Sequence, residues 1–455
     1  MLDVRLTARQ SISLGRHPSG TAPRMTYHHI PGQTLRGALA KVWITEFGEP
    51  HQVGAGLRSD FIALFEGAVQ YGPLYATGSY VVPLSVLRCK YGACDTVVDE
   101  AFPGAGAESP YCACGPLVPG KGEVEFTGAF TGRPVVQTSH PRIDPATGVA
   151  GDGLLFTRRA LSARDARGNP RVFRGRVASV ADLPPSASEW LARERRLWIG
   201  ARLSTSGAAD WSTRPAPVAL PSTGLRIALR LVAPTVLTDD SGLPVDVADR
   251  SSLRAVLDAQ LAPLLGGVRV ESVDGVWTRR ERKAGWHAVS RLPKPADLAI
   301  SAGSVLVLRF DREPAPEALL ALCGRGIGLR RREGFGVVET ATAAWEQPST
   351  DSEDAGPART TSARKQAEAY ASLLHGTGHS MWFSRQLRPY VEELALRPDH
   401  RDTSLLERPR LRRLTGEQRH GLERMLREAP VEVLDLVLSA LEDLHLLIGK
   451  GASQA

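Results

Sequence analysis

The chain has 455 residues, 42% of them hydrophobic and 23% charged, which at roughly 100–200 residues per domain allows two to four domains with real cores. Its 7 Lys and 49 Arg outnumber Asp and Glu to leave a net charge of +7, which favours polyanionic partners and supplies planar guanidinium forks suited to phosphate and base stacking. No run of about 18 apolar residues exists, which excludes a membrane-spanning helix, and the opening MLDVRLTARQSISLGRHP lacks the apolar stretch of a secretory signal.

In chain order, Leu2 to Leu6 reads as a strand, followed by a Gly/Pro/His loop and a helix launched by Pro31. That helix, GQTLRGALAKVWITEF, places Leu35, Leu39, Val42 and Trp43 on one face. A short helix at FIALFEGA and a strand at AVQYGPLY precede a cysteine-rich insertion at 86–118. Strands are predicted at GEVEFTGAF and VFRGRVASV, then an amphipathic helix at SASEWLARERRL and the glycine turn IGARLSTSG. After the proline-rich joint RPAPVALPSTG the pattern restarts. It gives a strand at LRIALRLVA, a helix at SSLRAVLDAQLAPLL, strands at GVRVESVDGVWTRR and GSVLVLRF, a helix at PAPEALLALC, a glycine loop and a closing strand at VVETATA. Both halves read as strand–helix–strand–strand–helix–strand, the ferredoxin-like, RRM-like order. The predicted class is α+β. Two tandem domains are expected at 1–220 and 221–345, then a polar linker at 346–363 and a small helical region at 364–455. In that last region Pro430 opens a helix whose stripe is Leu434, Val437, Leu438, Leu441 and Leu444, ended by Gly449 and Gly451.

The densest local signal lies between Gly324 and Gly336. Five glycines there (Gly324, Gly326, Gly328, Gly334, Gly336) interleave with Arg325, Arg330, Arg331 and Arg332. Glycine lets backbone approach a ligand, successive N–H groups can form an anion nest, and guanidinium forks bind phosphate. The expectation is a mobile loop that grips a sugar–phosphate backbone; the alternative is a surface turn with solvated arginines. Eleven arginines between Arg158 and Arg202 face only four acids, an excess equal to that of the whole chain. Arg158, Arg159, Arg174 and Arg176 are candidates for phosphate contact there, whereas Arg193, Arg195 and Arg196 read as a solvated helix face.

Cys89, Cys94, Cys112 and Cys114 are spaced C-x4-C-x17-C-x-C among turn residues. Four thiolates satisfy tetrahedral zinc with no open position, a structural site that would staple an insertion without its own core; the alternatives are free thiols or a redox pair. Cys323 stands alone and reads as a buried structural thiol. Without an export signal, a reducing cytoplasm is the expected setting. His28 and His29 precede Ile30-Pro31-Gly32 and could act as acid and base in metal-independent RNA cleavage, or could be structural or RNA-contacting.

Several of these segments together resemble the RAMP superfamily of CRISPR–Cas effector subunits. Ile30-Pro31-Gly32-Gln33-Thr34-Leu35-Arg36-Gly37-Ala38-Leu39 is similar to its I-P-G-S-S-L-R-G-A motif. FEGAVQYGPLYA is similar to the helix-to-strand segment that follows, and Arg142 to Gly148, continuing to GDGLLF, resembles its I-D-x-x-T-G segment. GIGLRRREGFGVV matches its C-terminal glycine-rich signature, and GWHAVSRLPKPADLAISAGSVLVL resembles the two-domain members. The resemblance covers residues 1 to about 345 and points to the Cas-five-like group of type III-D (the Csx-ten family).

What it implies is a prokaryotic antiviral-defence subunit that caps a type III effector. Such a subunit holds the repeat-derived 5′ tag of the guide RNA and meets target RNA only indirectly. Its expected partners are the first backbone subunit and the large polymerase-like signalling subunit. Arg36, which follows a helix start suited to phosphate, joins the loop arginines as an RNA candidate. Slicing subunits of the superfamily carry an acid between the first strand and the I-P-G helix. Here no Asp or Glu stands between Asp3 and Glu46, so the resemblance implies a non-slicing subunit. Two other readings stay open: an endoribonuclease processing precursor guide RNA through His28 or His29, and a purely architectural protein whose helical region docks a partner.

Overall fold

The computed structural model describes residues 1–15, 26–90, 94, 96–103, 111–122, 124–126, 135–143, 150–165, 168–178, 183–201, 206–287, 292–347 and 361–377, with parts of 383–441. The chain is α+β, with several antiparallel sheets. Residues 1–163 and 170–354 make one compact unit; residues 164–169 and 355–455 make a second.

The larger unit begins with β1 (Leu2–Ala8), α1 (Gly32–Phe47) and α2 (Ala55–Phe61), which passes into a π-helical turn at Ile62–Glu66. The strand expected at 68–75 is split into β2 (Gln70–Tyr71) and β3 (Tyr75–Ala76) around Pro73, which has no N–H for a ladder. Short strands follow: β4 (Ser79–Val81), β5 (Val86–Cys89), β6 (Val97–Asp99), β7 (Tyr111–Cys112), β8 (Gly115–Pro119) and β9 (Val124–Phe126). Next comes a long hairpin, β10 (Val135–Ile143) with β11 (Ala150–Leu161), then β12 (Val172–Ala178), α3 (Pro185–Ala192), β13 (Arg195–Trp198) and β14 (Ala208–Pro215).

The second half runs β15 (Arg226–Leu231), α4 (Arg250–Leu261), β16 (Val270–Trp277), β17 (Arg280–His287), β18 (Leu292–Ile300), β19 (Val305–Phe310), α5 (Pro316–Arg325) and β20 (Val338–Ala341). The first sheet is ordered β13-β14-β1-β12-β2, with β3 also on β12; the second is β16-β19-β15-β20. In each, the opening strand lies between two later strands that a helix-containing connection brings back beside it. Alternation decides the faces. Val4, Leu6 and Ala8 of β1 are buried against Leu35, Leu39 and Trp43 of α1, so Asp3 and Arg5 project from the opposite face. Ile227, Leu229 and Leu231 of β15 likewise pack against Leu253, Leu257 and Leu319.

Two sequence expectations need correction. The helix predicted through SASEWLARERRL stops at Ala192, where Arg193 turns extended, and Arg195–Trp198 pairs with β14 instead. Its arginines are not a solvated helix face: Arg193 pairs with Glu46, Arg196 with Asp210, and the Arg195 guanidinium lies 4.0 Å from the Trp190 ring centre. Burial lowers the Arg195 pKa to about 10. The strand predicted through GVRVESVDGVWTRR stops at Trp277, and Arg280–His287 opens a hairpin with Leu292–Ile300 that the predicted element order lacks. The cysteine-rich insertion lies within the first half of the sequence, and its Ala101 and Phe102 cover Ala228, Val305 and Val307 on the second sheet. Buried Asp99 ties that contact down, accepting from Ser85 Oγ (2.6 Å), Arg230 (3.1 Å) and the Trp345 N–H (2.8 Å).

The smaller unit is helical: α6 (Thr361–Gly376), a 3₁₀ turn at Ser404–Glu407 and α7 (Gly416–Glu428), which begins with a Thr415/Gln418 capping box. Leu374, Leu422, Met425 and Leu426 are buried with Leu434, Val437, Leu438 and Leu441 of the predicted stripe. Leu444, Gly449 and Gly451 lie outside the described residues.

Candidate nucleic-acid interface and metal centre

Two motifs that stand about 300 residues apart in sequence meet in space. Ile30 is pinned by a reciprocal pair of backbone bonds with Leu74, which aims Pro31 and Gly32 at the start of α1. A Cβ on Gly32 would lie 1.8 Å from the Tyr71 carbonyl oxygen and 2.8 Å from the Gly334 Cα. One on Gly334, whose φ is +81°, would lie 2.1 Å from the same oxygen. Glycine is required on both sides because two backbones share the space over one carbonyl. The I-P-G helix start and the arginine-bearing glycine loop therefore form one edge of the molecule.

The loop itself is packed, which corrects the expectation of a mobile hairpin. Ile327 and Phe335 are buried, Ile327 N–H donates to Gly336 O, Leu329 N–H to Val236 O, and Gly328 N–H to Gln260 Oε1. Arg330, at φ +58°, is the only non-glycine residue with positive φ among the described residues. Its guanidinium donates to Asp297 (2.7 Å) and Glu333 (2.7 Å) and stacks on Phe335 at 4.3 Å. Lys294 from the β17–β18 hairpin reaches the other Glu333 oxygen at 3.0 Å. Burial works against the charged form of Glu333, but the bonds from Arg330 and Lys294 outweigh it and hold its pKa below the ordinary value. Arg330 is thus a strut inside the loop rather than a free phosphate fork.

The other candidates divide by what holds them. Arg36 donates to Phe65 O and pairs with Glu66 at 2.7 Å, bracing the π-helical turn. Arg332 meets the same Glu66 at 3.2 Å but stays half exposed. Arg325 is exposed and Arg331 partly buried; neither has a carboxylate partner among the described residues, and burial together with Arg325 lowers the Arg331 pKa. Gly326, Gly334 and Gly336 are buried and Gly328 partly so, turning the chain rather than presenting a nest to solvent.

Arg174 and Arg176 sit on β12, on the first-sheet face that points away from the α1 core. Register places Arg5 opposite Arg174, and Asp3 between Arg176 and Arg214. Arg5 and Arg214 are missed by local reading; the alternation of LDVRLTA is the signal that could have found Arg5. Arg159 Nε donates to Gln137 and lines a cleft of about 230 Å³ with Thr26, His28 and Val135. The Arg158 side chain lies outside the described residues. His29 stands between the rings of Tyr27 (5.4 Å) and Tyr75 (5.1 Å), so the two histidines face different surroundings. Lys283, buried beside Glu281 at 2.9 Å, donates to Tyr27 Oη. Asp144 to Gly148, Arg202 and Arg410 to Arg413 also lie outside the described residues.

The four insertion cysteines do converge. Cys89 ends β5, Cys112 and Cys114 flank the β7–β8 turn, and all four sulfurs lie within 4.8 Å of one another. Zinc with Zn–S bonds of about 2.3 Å holds its four sulfurs roughly 3.8 Å apart, so the set fits a closed tetrahedral ion. Thr96, 3.2 Å from Cys94, lowers that thiol's pKa; the hydrogen bond to Cys94, with burial, raises Cys114 to about 11. That a cluster of thiols holds one another's protons is what a divalent cation relieves. Cys323, expected to be a buried structural thiol, is only partly buried and borders a cleft.

No family model matches the sequence, and no curated protein matches it. Among solved structures, a chain of the type III-B Cmr-beta complex bound to cognate target RNA and AMPPnP aligns over 67% of this chain and 86% of its own, at 13% identity and TM-score 0.37. A Cas6-related protein from Pyrococcus furiosus aligns over 75% and 98%, at 9% identity and TM-score 0.29. The CRISPR endoribonuclease Cse3 bound to a 19-nucleotide RNA aligns over 46% and 79%, at 16% identity and TM-score 0.21. Superpositions this loose do not assign a family or an activity. Among the described residues, no helix is long and apolar enough to cross a membrane.

Proposed function

We propose that this chain is a non-catalytic RNA-binding subunit of a type III CRISPR effector, built on two tandem ferredoxin-like modules of RAMP type. It holds the 5′ repeat-derived tag of the guide RNA and docks the first backbone subunit and the large signalling subunit. The observation that carries the reading is the contact of Gly32 with Gly334 over the Tyr71 carbonyl. It joins the two motifs most characteristic of the resemblance into one edge, as a shared binding surface requires. The cations available along that edge are Arg325, Arg331 and the half-exposed Arg332, with Arg330 holding the loop in shape. Ala101 and Phe102 cover Ala228, Val305 and Val307 on the second sheet's open face, which favours an RNA path along the loop edge and the first sheet. Zinc in the four-cysteine set is structural in this reading. It closes the insertion and has no open position for chemistry.

Filter binding of tagged and untagged guide RNA across a salt series tests this. Tagged RNA should bind more tightly, and log affinity should fall linearly with log salt, by about 0.7 per phosphate neutralised on a single strand. Equal affinity for both RNAs with no salt slope refutes it.

One observation favours a second reading. His28 and Arg159 share a cleft, so an acid–base group and a phosphate-binding cation stand side by side, as metal-independent RNA cleavage needs. Cleavage of repeat RNA that His28→Ala abolishes, with binding retained, would establish that activity; intact repeat RNA after prolonged incubation with the wild-type protein eliminates it.

A further inference from the structure

A cleft of about 570 Å³ lies between the open face of the first sheet and the α5–β20 edge of the second half. Its volume is in the range of small-molecule sites, roughly 300–1,000 Å³. Asp3 and Arg176 enter it from β1 and β12, Glu339 from β20, and Cys323 from the last turn of α5. Gln70 is the wall it shares with the glycine loop: the residue lines the cleft while its amide N–H donates to Phe335 O. Pro73, Leu320 and Val338 supply apolar surface.

The character of the lining decides what fits. Two cations, Arg174 and Arg176, face two carboxylates, Asp3 and Glu339, so the space is nearly neutral and is not built for a phosphate. Guanidinium forks, carboxylates and an amide over apolar walls offer donors and acceptors for the edge of a flat ring and surfaces for its faces. Single-stranded RNA presents such rings when its bases are splayed from the strand. The Asp3–Arg176 pair is loose at 3.4 Å, and Arg176 is mostly exposed, so it can be drawn to a ligand without breaking a buried bond.

We propose that this cleft accepts one unstacked nucleobase of the RNA strand that runs along the glycine-loop edge. The inference rests on the RNA-binding reading and adds to it the place where base identity is read. Arg325, two residues beyond Cys323, and Arg331 beside it hold the backbone at the cleft's border, while the interior takes a neutral base.

Cys323 provides a native reporter. The full-length protein is alkylated with iodoacetamide at mildly alkaline pH, with and without guide RNA carrying its repeat-derived 5′ segment. The modification rate at Cys323 is followed by peptide mass spectrometry, separately from the insertion cysteines. At RNA about ten times its Kd, occupancy should slow Cys323 labelling about tenfold. A scan of single abasic positions should restore the rate at one position only, with the RNA still bound. Binding with unchanged Cys323 labelling, or protection that no abasic position relieves, overturns the cleft assignment and leaves RNA binding standing. Absence of any RNA binding overturns both.

Discussion

Replacing Gly334 with alanine is the sharpest test of how the candidate interface is built. Two costs arise at one atom. The residue sits at φ +81°, where an L side chain costs about 1–2 kcal/mol. The new Cβ would also stand 2.1 Å from the Tyr71 carbonyl oxygen and 2.8 Å from the Gly32 Cα. Ordinary contact then requires the two backbones to part by roughly 1 Å or more, and forced overpacking of this kind costs about 1–3 kcal/mol. The sum is about 2–5 kcal/mol, and the parting separates the I-P-G turn from the loop. Urea unfolding followed by tryptophan fluorescence reads the stability, because Trp43 and Trp211 are fully buried in the first core. RNA affinity should fall with it. Gly37→Ala is the control: Gly37 lies within α1 with nothing within 4 Å of a new Cβ, so alanine should be neutral or stabilising by up to about 1 kcal/mol. A Gly334→Ala protein within about 0.5 kcal/mol of wild type would show that the two motifs do not lean on each other as described.

Arg330→Ala and Arg331→Ala should separate shape from grip. The first leaves buried Glu333 with Lys294 as its remaining partner and should lower stability by about 1–3 kcal/mol in the same unfolding assay. The second should leave stability unchanged and reduce the salt slope of RNA binding by about 0.7. The pH dependence follows from Glu333: its folded pKa is depressed, so its stabilisation is full above the unfolded carboxylate value and lost as pH falls through the folded one. Thermal melts in acid should show this loss, and Glu333→Gln should flatten that limb of the profile. Metal analysis of protein purified with zinc present should return one ion per chain. Cys89→Ser should lose it and lower the melting temperature, because the same insertion seats Ala101 and Phe102 on the second sheet.

Sequence by itself determined the elements and the chemistry that is local. The α+β class, the strand–helix alternation, the Pro31 helix start and the buried stripe from Leu434 to Leu441 are written in short-range periodicity, as is the grouping of four cysteines. Tertiary structure decided which of the conspicuous residues are available. Arg330 looks in sequence like Arg331, its neighbour; only the fold brings Asp297 and Glu333 against one, while the other has no carboxylate partner among the described residues. Strand pairing turned Arg195–Trp198 from a helix into a sheet edge, and long-range packing put the insertion on the second sheet. Gln70 and Cys323 line one cleft, and Arg5 comes to stand opposite Arg174, through register and packing alone. Periodicity records what a residue does for its own element. Whether a charge meets water, a carboxylate or a strand of RNA depends on segments far away in the chain, and those meet only when it folds.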